Sequence, residues 1–545
     1  MKKDWKAIIG VLLGLTIAGV IFFANQLGLD NNPAWGLRRY LLFSLGLLIL
    51  VLSLLYREEN FIGRAVNTRV GQLYLASGIA VIAVLLVYVW CVSVGLWTTW
   101  PRSTNYYDLL GTAFSHGRIA LEVEPDPALL ELQDPYNPEN RWDIPVLWDM
   151  SFFDGKYYLY WGPAPALLVA LVKPFYSGEV GDNILTFFFF AGIFIFLTLM
   201  MVEIWKNYMP ETPRSAVVLG ILFVGLMNPI PFALLDSMIY EAAIGSGQFF
   251  FVGGLYWLIT AFRRPSILRL VLSGVFFGLA VASRNVIAVP VAFLGLVVLI
   301  WAIKCHRAKA FGYVLAVGLP IALIGLGLAW YNYVRFGSIT EFGLRYQFTS
   351  FPLYEQINET FSPAYIAPNL FKTLFNPLER RDSFPFIRAT RWAGPSWLEW
   401  EYPEFYLLWA EGITGILVGS PFVIFALLAL VRRKKELDWI LISLAGSALV
   451  AFAVLQFFFY TVMRYHLDLL PALSLLAVIG FWQGLNLLRE RPIAKRIYTL
   501  FGAVLCAYGI LISYLLTISS HLHRFEAHNP ELLNQMRWVF NGIFQ

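Results

Sequence analysis

Charge, histidine and cysteine are all scarce in this chain. Of its 545 residues only 14% are charged, with six His and three Cys, against roughly 25% charge in soluble globular domains. Cys91, Cys305 and Cys506 lie in or beside apolar runs, with no C-x-x-C pair and no His at metal-ligand spacing. That excludes a disulfide framework and a zinc site of ordinary pattern. The net charge of +5 is not gathered into a basic stripe, so no nucleic-acid partner is expected. Internal repeats and low-complexity tails are also missing.

What the chain has instead is apolar length. Hydrophobic residues make up 59% and aromatics 17%, arranged in repeated runs of about 20, the length that crosses a bilayer as a helix. The start, MKKDWKAIIGVLLGLTIAGVIFF, has a basic end like a secretory signal, but its apolar run is long and no A-x-A site follows. It reads as an uncleaved first span. Candidate spans are 7–27, 39–56, 73–98, 183–205, 214–235, 238–262, 267–283, 285–303, 310–333, 406–431, 438–460, 465–487 and 497–519. The fold class expected is an all-α polytopic membrane protein of about 13 transmembrane helices. One more apolar piece, 158–176, carries Pro163 and Pro165 at its start and Lys173-Pro174 near its end. Proline-broken and aromatic-edged, it suits a helix lying in the interface rather than a span.

The positive-inside rule tests that choice, because one extra crossing inverts every later loop. With a cytoplasmic N-terminus and 158–176 not crossing, the inner connections hold more than half of the Lys and Arg, in short segments such as RRKKELD and RERPIAKR; Arg38 and Arg39 are the exception. A multi-pass cell-membrane location with two large non-cytoplasmic loops follows. The organisation expected is two N-terminal spans in 1–72, a core membrane module in 73–333 with an acidic outer loop at 99–182, a second outer loop at 334–405 rich in Pro and aromatics, and C-terminal spans with a short outer amphipathic tail in 406–545. Loops this long in a compact protein are usually functional.

Ionisable residues inside or at the ends of apolar runs are costly and tend to mark sites. Asp108 lies in TNYYDLLGTAFSHG, with Tyr107 before it and His116 after it. Asp236, Tyr240 and Glu241 occupy the short turn LLDSMIYEAAIGSG, and Arg284 sits in ASRN between two spans. Arg335, Glu341 and Arg345 follow a span in YNYVRFGSITEFGLRYQ; Arg464, His466 and Asp468 open another in MRYHLDLLP. The same count of crossings assigns all of them to the outer face. Arginine suits a lipid-borne phosphate through its planar fork of donors. A carboxylate opposite could serve as a general base or help hold a divalent cation. The plainer reading is that each charge ends a helix or snorkels to the interface, and for His116 a polar loop residue is the simpler account.

At these residues the chain resembles a family. YYDLLGTAFSHGRIAL after a span, FFDGKYYLYWGPAPALLVALV as a juxtamembrane helix, GLAVASRN, NYVRFGSITEFGLRYQ and MRYHLDLLPAL together resemble the GT-C superfamily of integral-membrane glycosyltransferases, in particular bacterial proteins of the family 39, dolichyl-phosphate-mannose-protein mannosyltransferase-like type. The resemblance runs over roughly 75 to 485. It implies an inverting hexosyl or mannosyl transfer from a polyprenyl-phosphate sugar on the non-cytoplasmic face, to a glycan, lipid or protein acceptor. Asp108 matches the expected base, Arg284 and Arg464 would face the donor phosphate with Arg335 beside them, and Asp236 or Glu241 would take the second acidic role. Tyr107, His116, Tyr240, Glu341, Arg345 and Asp468 complete the candidate substrate contacts. Family members often carry paired acids in the first loop, where this chain offers Tyr107-Asp108. A divalent cation, Mg or Mn, is therefore left open, with Asp108 and Glu241 as candidate ligands. Two rival readings come from other classes. A lipid-linked-sugar flippase would place charges at the bilayer midplane, and an O-antigen polymerase or ligase would also pair many spans with a large outer loop and arginines.

Overall fold

The computed structural model describes residues 5–27, 35–56, 61–391, 405–406, 411–431 and 435–544. The chain divides into two units, Met1–Ile79 and Ala80–Gln545. In the first, α1 (Trp5–Phe22) packs along α2 (Leu37–Leu54), and a short α3 (Phe61–Asn67) follows. The close approach is made at glycines: a Cβ at Gly14 or Gly46 would meet the backbone of the opposite helix, the small-residue packing expected where lipid offers no hydrophobic drive between helices.

Next in chain order come α4 (Arg69–Val92), α5 (Tyr106–Ser115), α6 (Pro127–Glu131), the hairpin β1 (Ser151–Phe153) and β2 (Lys156–Tyr158), and α7 (Ala164–Val172). The long helices of the second unit follow as α8 (Asp182–Tyr208), α9 (Arg214–Leu226), α10 (Ile230–Leu235), α11 (Ile239–Arg263), α12 (Ile267–Ser283), α13 (Ala288–His306) and α14 (Ala310–Phe336). After α15 (Ile366–Phe375) and the small hairpin β3 (Leu378–Arg380) and β4 (Ile387–Ala389) come α16 (Ile416–Gly419), α17 (Ala426–Val431), α18 (Asp438–Gln456), α19 (Leu470–Leu487) and α20 (Pro492–Ile518). The chain finishes with α21 (Arg524–His528) and α22 (Pro530–Phe544).

Seven described stretches are long and apolar enough to cross a membrane; one, Asn285–Phe336, holds both α13 and α14 around the turn Arg307–Lys309. Five shorter apolar helices accompany them. The protein is therefore helical and multi-pass, helices being segments that satisfy their own backbone groups as a bilayer demands. α11 and α19 are buried along most of their length and form the centre, with α8 and α12 against α11 and α17 against α19.

Several expected spans take a different form. The run 214–235 is interrupted by Asn228-Pro229, so α9 and α10 are separate helices. The run 406–431 begins outside the described residues in part, and within them is broken into α16, a tight turn at Pro421–Phe425, and α17. The 465–487 span starts only at Leu470, because Met463–Asp468 forms a 3₁₀ turn. Most of the aromatic stretch 391–406 lies outside the described residues.

The piece from 152 to 172, expected to be one helix, splits in two. Asp154 and Gly155 both take positive φ, 50° and 67°, and this Asp-Gly pair closes β1 on β2 with Phe153 opposite Lys156. Asp-Gly is the pair that accepts two left-handed residues at the tip of a tight hairpin. Only Ala164–Val172 is helical; at about 1.5 Å per residue it is far too short to cross ~30 Å of hydrocarbon. The hairpin gains a partial third strand where Ser151 bridges Gln347 and the Phe348 N–H donates to the Met150 carbonyl at 3.0 Å. Thus the long segments 99–182 and 334–405 share one small sheet, and that sheet carries part of the candidate site.

Candidate functional site

The N-terminal ends of α11 and α19, the C-terminal ends of α12 and α18, and the sheet segment around 149–161 meet at one end of the bundle. Their approach is tight by construction. Gly162 lies against the backbone of Ala282 and Ser283 with no room for a Cβ, which brings Tyr160 and Trp161 to the residue after α12, Arg284. The Tyr160 and Trp161 rings lie 4.1 Å apart, and Trp161 packs edge-on to Tyr240 at 5.4 Å.

Arg284 caps α12 in extended conformation. It donates Nε to Oδ1 of Asp468 at 3.1 Å and Nη2 to Oδ2 at 2.8 Å, a two-pronged pair that fixes the guanidinium plane. The ring of Tyr465 lies beneath it at 5.4 Å. Arg464, on the 3₁₀ turn that opens α19, pairs with Glu411 through Nη1 and lies 3.9 Å from Glu241 Oε1. Its guanidinium stands 4.5 Å over Tyr240. Tyr465 donates to the Tyr460 hydroxyl at 2.8 Å. Burial opposes the charge on both arginines, yet Asp468 beside Arg284 and Glu411 beside Arg464 hold both pKa values above the usual range. Glu411 answers in kind: burial would raise it, but Arg464 and then His521 bring it below the ordinary carboxylate range. Nη1 of Arg284 and both Nε and Nη2 of Arg464 remain without a protein acceptor among the described residues, so the cluster can still take an anion.

Asp149 completes the group. It is buried, with φ of +62°, a left-handed conformation that Asp tolerates better than most residues. Its N–H donates to the Phe348 carbonyl at 3.1 Å, and Gln347 Nε2 donates to its Oδ1 at 3.1 Å. Burial pushes its carboxyl up to about 7, with Arg464 and the Gln347 bond pulling the other way. Tyr160 registers the convergence from between: burial, Tyr460 and Asp149 drive its phenol upward, and Arg284 and Arg464 draw it back. Asp149 thus joins two arginines, the carboxylates of Asp468, Glu411 and Glu241, and several tyrosines in one electrostatic neighbourhood.

Of the residues expected from sequence, Arg284, Arg464, Asp468, Tyr240 and Glu241 are in this cluster. Tyr107 borders it, its hydroxyl buried without a partner and Arg284 among its electrostatic neighbours. Asp236 reaches it through His521, whose Nδ1 lies 3.4 Å from Asp236 and Nε2 3.5 Å from Glu411. His466 is buried on the same turn, and neither ring nitrogen has a hydrogen-bond partner among the described residues.

The others stand apart. Asp108 Oδ1 accepts from Lys173 Nζ at 2.7 Å and from the Val180 N–H at 2.8 Å; no hydrogen bond or ion pair joins it to either arginine among the described residues. It ties α5 to the end of α7, while Asp182 caps α5 from the start of α8 by accepting from Thr104, Tyr106 and Tyr107. Arg335 donates to the Leu159 carbonyl at 2.7 Å and to Asn332, stacked 3.9 Å over Tyr331, and so pins the segment leading to Tyr160. His116 pairs with Glu122 at 2.9 Å in solvent. Glu341 accepts from the Gly343 N–H within a turn, and Arg345 is exposed. Asp149, Glu411, Tyr160, Tyr460, Tyr465 and His521 were not singled out by sequence. Tyr465 lies between two residues that were and His521 opens the tail, but no periodicity marks any of the six.

A divalent cation does not fit these residues. Among the described residues no three of His, Cys, Asp and Glu come together as ligands; Oδ1 of Asp108 is taken by Lys173 and the Val180 N–H, and the two oxygens of Glu241 face the Met238 N–H and Arg464.

No family model matches this chain, and no curated protein matches it. Among solved structures it is similar to the archaeal oligosaccharyltransferase AglB from Archaeoglobus fulgidus in complex with an inhibitory peptide and a dolichol-phosphate, with a TM-score of 0.45, 14% identity, and coverage of 82% of this chain and 56% of that one. A second structure of the Archaeoglobus fulgidus oligosaccharyltransferase, tethered to an acceptor peptide, gives a TM-score of 0.45 at 12% identity, over 82% of this chain and 55% of that one. ArnT from Cupriavidus metallidurans bound to undecaprenyl phosphate gives 0.42 at 12% identity, over 84% and 78%. The chain spans little more than half the length of the two oligosaccharyltransferase chains, and at these TM-scores the likeness carries no weight in reading the site.

Proposed function

We propose that the chain is a glycosyltransferase of the GT-C type that moves a sugar from a polyprenyl-monophosphate carrier to an acceptor hydroxyl. The observation that carries this reading is the convergence at one end of the bundle of Arg284, held by Asp468 over Tyr465, and Arg464, paired with Glu411 over Tyr240, with buried Asp149 within electrostatic reach of Arg464. A lipid phosphate entering from the bilayer edge would find guanidinium N–H groups already aimed by Asp468 and Glu411, so little reorganisation is needed when the leaving phosphate gains charge. The family resemblance of the five motifs points to the same chemistry.

In the proposed step, Asp149 takes the proton from the acceptor hydroxyl as the acceptor oxygen bonds to the anomeric carbon. The carbon–oxygen bond to the carrier phosphate breaks on the opposite face, and the phosphate leaves with the electron pair, held by Arg284 and Arg464. A single displacement inverts the anomeric centre. The base position proposed from sequence was Asp108; its engagement by Lys173 favours Asp149, whose carboxyl near pH 7 is poised for proton transfer. A flippase would need its ionisable groups near the bilayer midplane, whereas these sit at helix ends.

The test is transfer from a panel of radiolabelled polyprenyl-phosphate sugars by protein purified in lipid. Asp149→Asn should lower kcat/KM by ~10²-fold or more, the usual share of a general base, with the folded fraction unchanged. If Asp149→Asn retains transfer and Asp108→Asn abolishes it at unaltered stability, the base is Asp108.

A further inference from the structure

Arg464 does not end its chain of charges at Glu411. The same Glu411 oxygen that Arg464 contacts lies 3.5 Å from Nε2 of His521, and the other face of that imidazole lies 3.4 Å from Asp236 Oδ2. Ser520, the neighbouring residue, donates to Asp236 Oδ1. On the opposite side Arg464 meets Glu241, whose other oxygen accepts from the Met238 N–H at 3.1 Å and caps α11. The result is an alternating row, Asp236, His521, Glu411, Arg464, Glu241, drawn from α10, the tail, the loop before α16, the turn before α19, and α11. Phe232 stacks on the imidazole at 6.1 Å, and Arg524 and Arg391 add positive charge near Asp236 and Glu411.

The position of His521 between two carboxylates has one physical effect. A cation there shares the charge of Glu411 with Arg464, so the arginine is less fully neutralised and attracts an incoming anion more strongly. A neutral residue leaves Glu411 wholly to Arg464, beside a second carboxylate, Glu241. We propose that His521, carried by the segment after α20, is a positioning residue. It holds Glu411 and Asp236 as a cation and thereby sets the affinity of Arg464 for an anionic lipid phosphate. This rests on the reading of Arg464 as a phosphate-binding group. The burial around His521 would lower its pKa, and the Asp236 bond and Glu411 outweigh that and raise it. At 31% exposure the ring still reaches water for its proton.

The test measures binding of a polyprenyl monophosphate without sugar to the full-length protein in lipid nanodiscs, together with thermal unfolding. His521→Gln keeps hydrogen-bonding capacity and loses the charge; it should weaken binding ~10-fold, the scale of one close charge pair. His521→Lys restores a cation of different shape and should recover affinity to within ~3-fold of wild type, a rescue that a purely structural role would not give. Arg464→Gln is the control for the site. If Arg464→Gln binds as wild type, the phosphate reading itself fails. If Arg464→Gln loses binding while His521→Gln binds as wild type, or His521→Lys fails to recover what His521→Gln lost, the role of His521 is overturned alone.

Discussion

Asp108 and Asp149 show how differently two acids of one loop can be used. Asp108 is a buried anion compensated by Lys173, and removing one partner of such a pair strands the other. Asp108→Asn should therefore lower unfolding stability by ~3 kcal/mol, and Asp108→Asn with Lys173→Met should recover much of that loss; thermal unfolding in lipid checks both. Stability unchanged by Asp108→Asn would return the residue to the catalytic candidates. Asp149 has the opposite character, since burial raises its carboxyl to about 7. Its ionisation is disfavoured in the fold, so the stability linked to it is full below the ordinary carboxylate range and declines as pH rises to about 7. Activity runs the other way. A base must be ionised, so kcat/KM should climb with pH up to about 7 and then level. A profile that falls over that interval would exclude Asp149 as the base.

Single elements show why sequence patterns reached some of this and missed the rest. Arg284, Arg464, Asp468 and Glu241 were legible because an ionisable residue bounded by apolar sequence has few cheap explanations. Arg335 met the same criterion, and its guanidinium donates to the Leu159 carbonyl and to Asn332; burial of a cation beside carbonyls looks identical in sequence to burial beside a ligand. Asp149 was hidden among the acids of the first outer loop, and only the pairing of β1 with Gln347 and Phe348 turns it inward. The helix expected through 152–172 failed because local turn chemistry at Asp154-Gly155 outranks apolar content. The cap on α5 makes this scale testable. Asp182 accepts from Thr104, Tyr106 and Tyr107, and Asp182→Ala should cost ~1–2 kcal/mol of stability. Because α5 also carries Tyr107 beside Arg284, the same variant should raise KM for the donor more than it lowers kcat. Equal effects on both would separate the cap from the site.

At the scale of the whole molecule, membrane crossing follows from composition and spacing, since bilayer thickness dictates helix length. Which helices are central did not follow from apolar content, because α11 and α19, the most buried of the long helices, are also the least apolar of them. The site is assembled wholly from side chains of this bundle and its two outer loops, with no trio of metal-ligating residues among those described. Transfer should therefore persist in millimolar chelator, and loss of activity restored by Mg or Mn would contradict the donor set.

The row of charges through His521 also bears on how the protein is made. Asp236 and Glu241 emerge and enter the membrane with α10 and α11, long before Arg464 and His521 exist on the growing chain. Two carboxylates must wait at a helix boundary, without their cations, through the insertion of α12 to α18. The row of charges at that end of the bundle can therefore be completed only once the segment after α20 has been made.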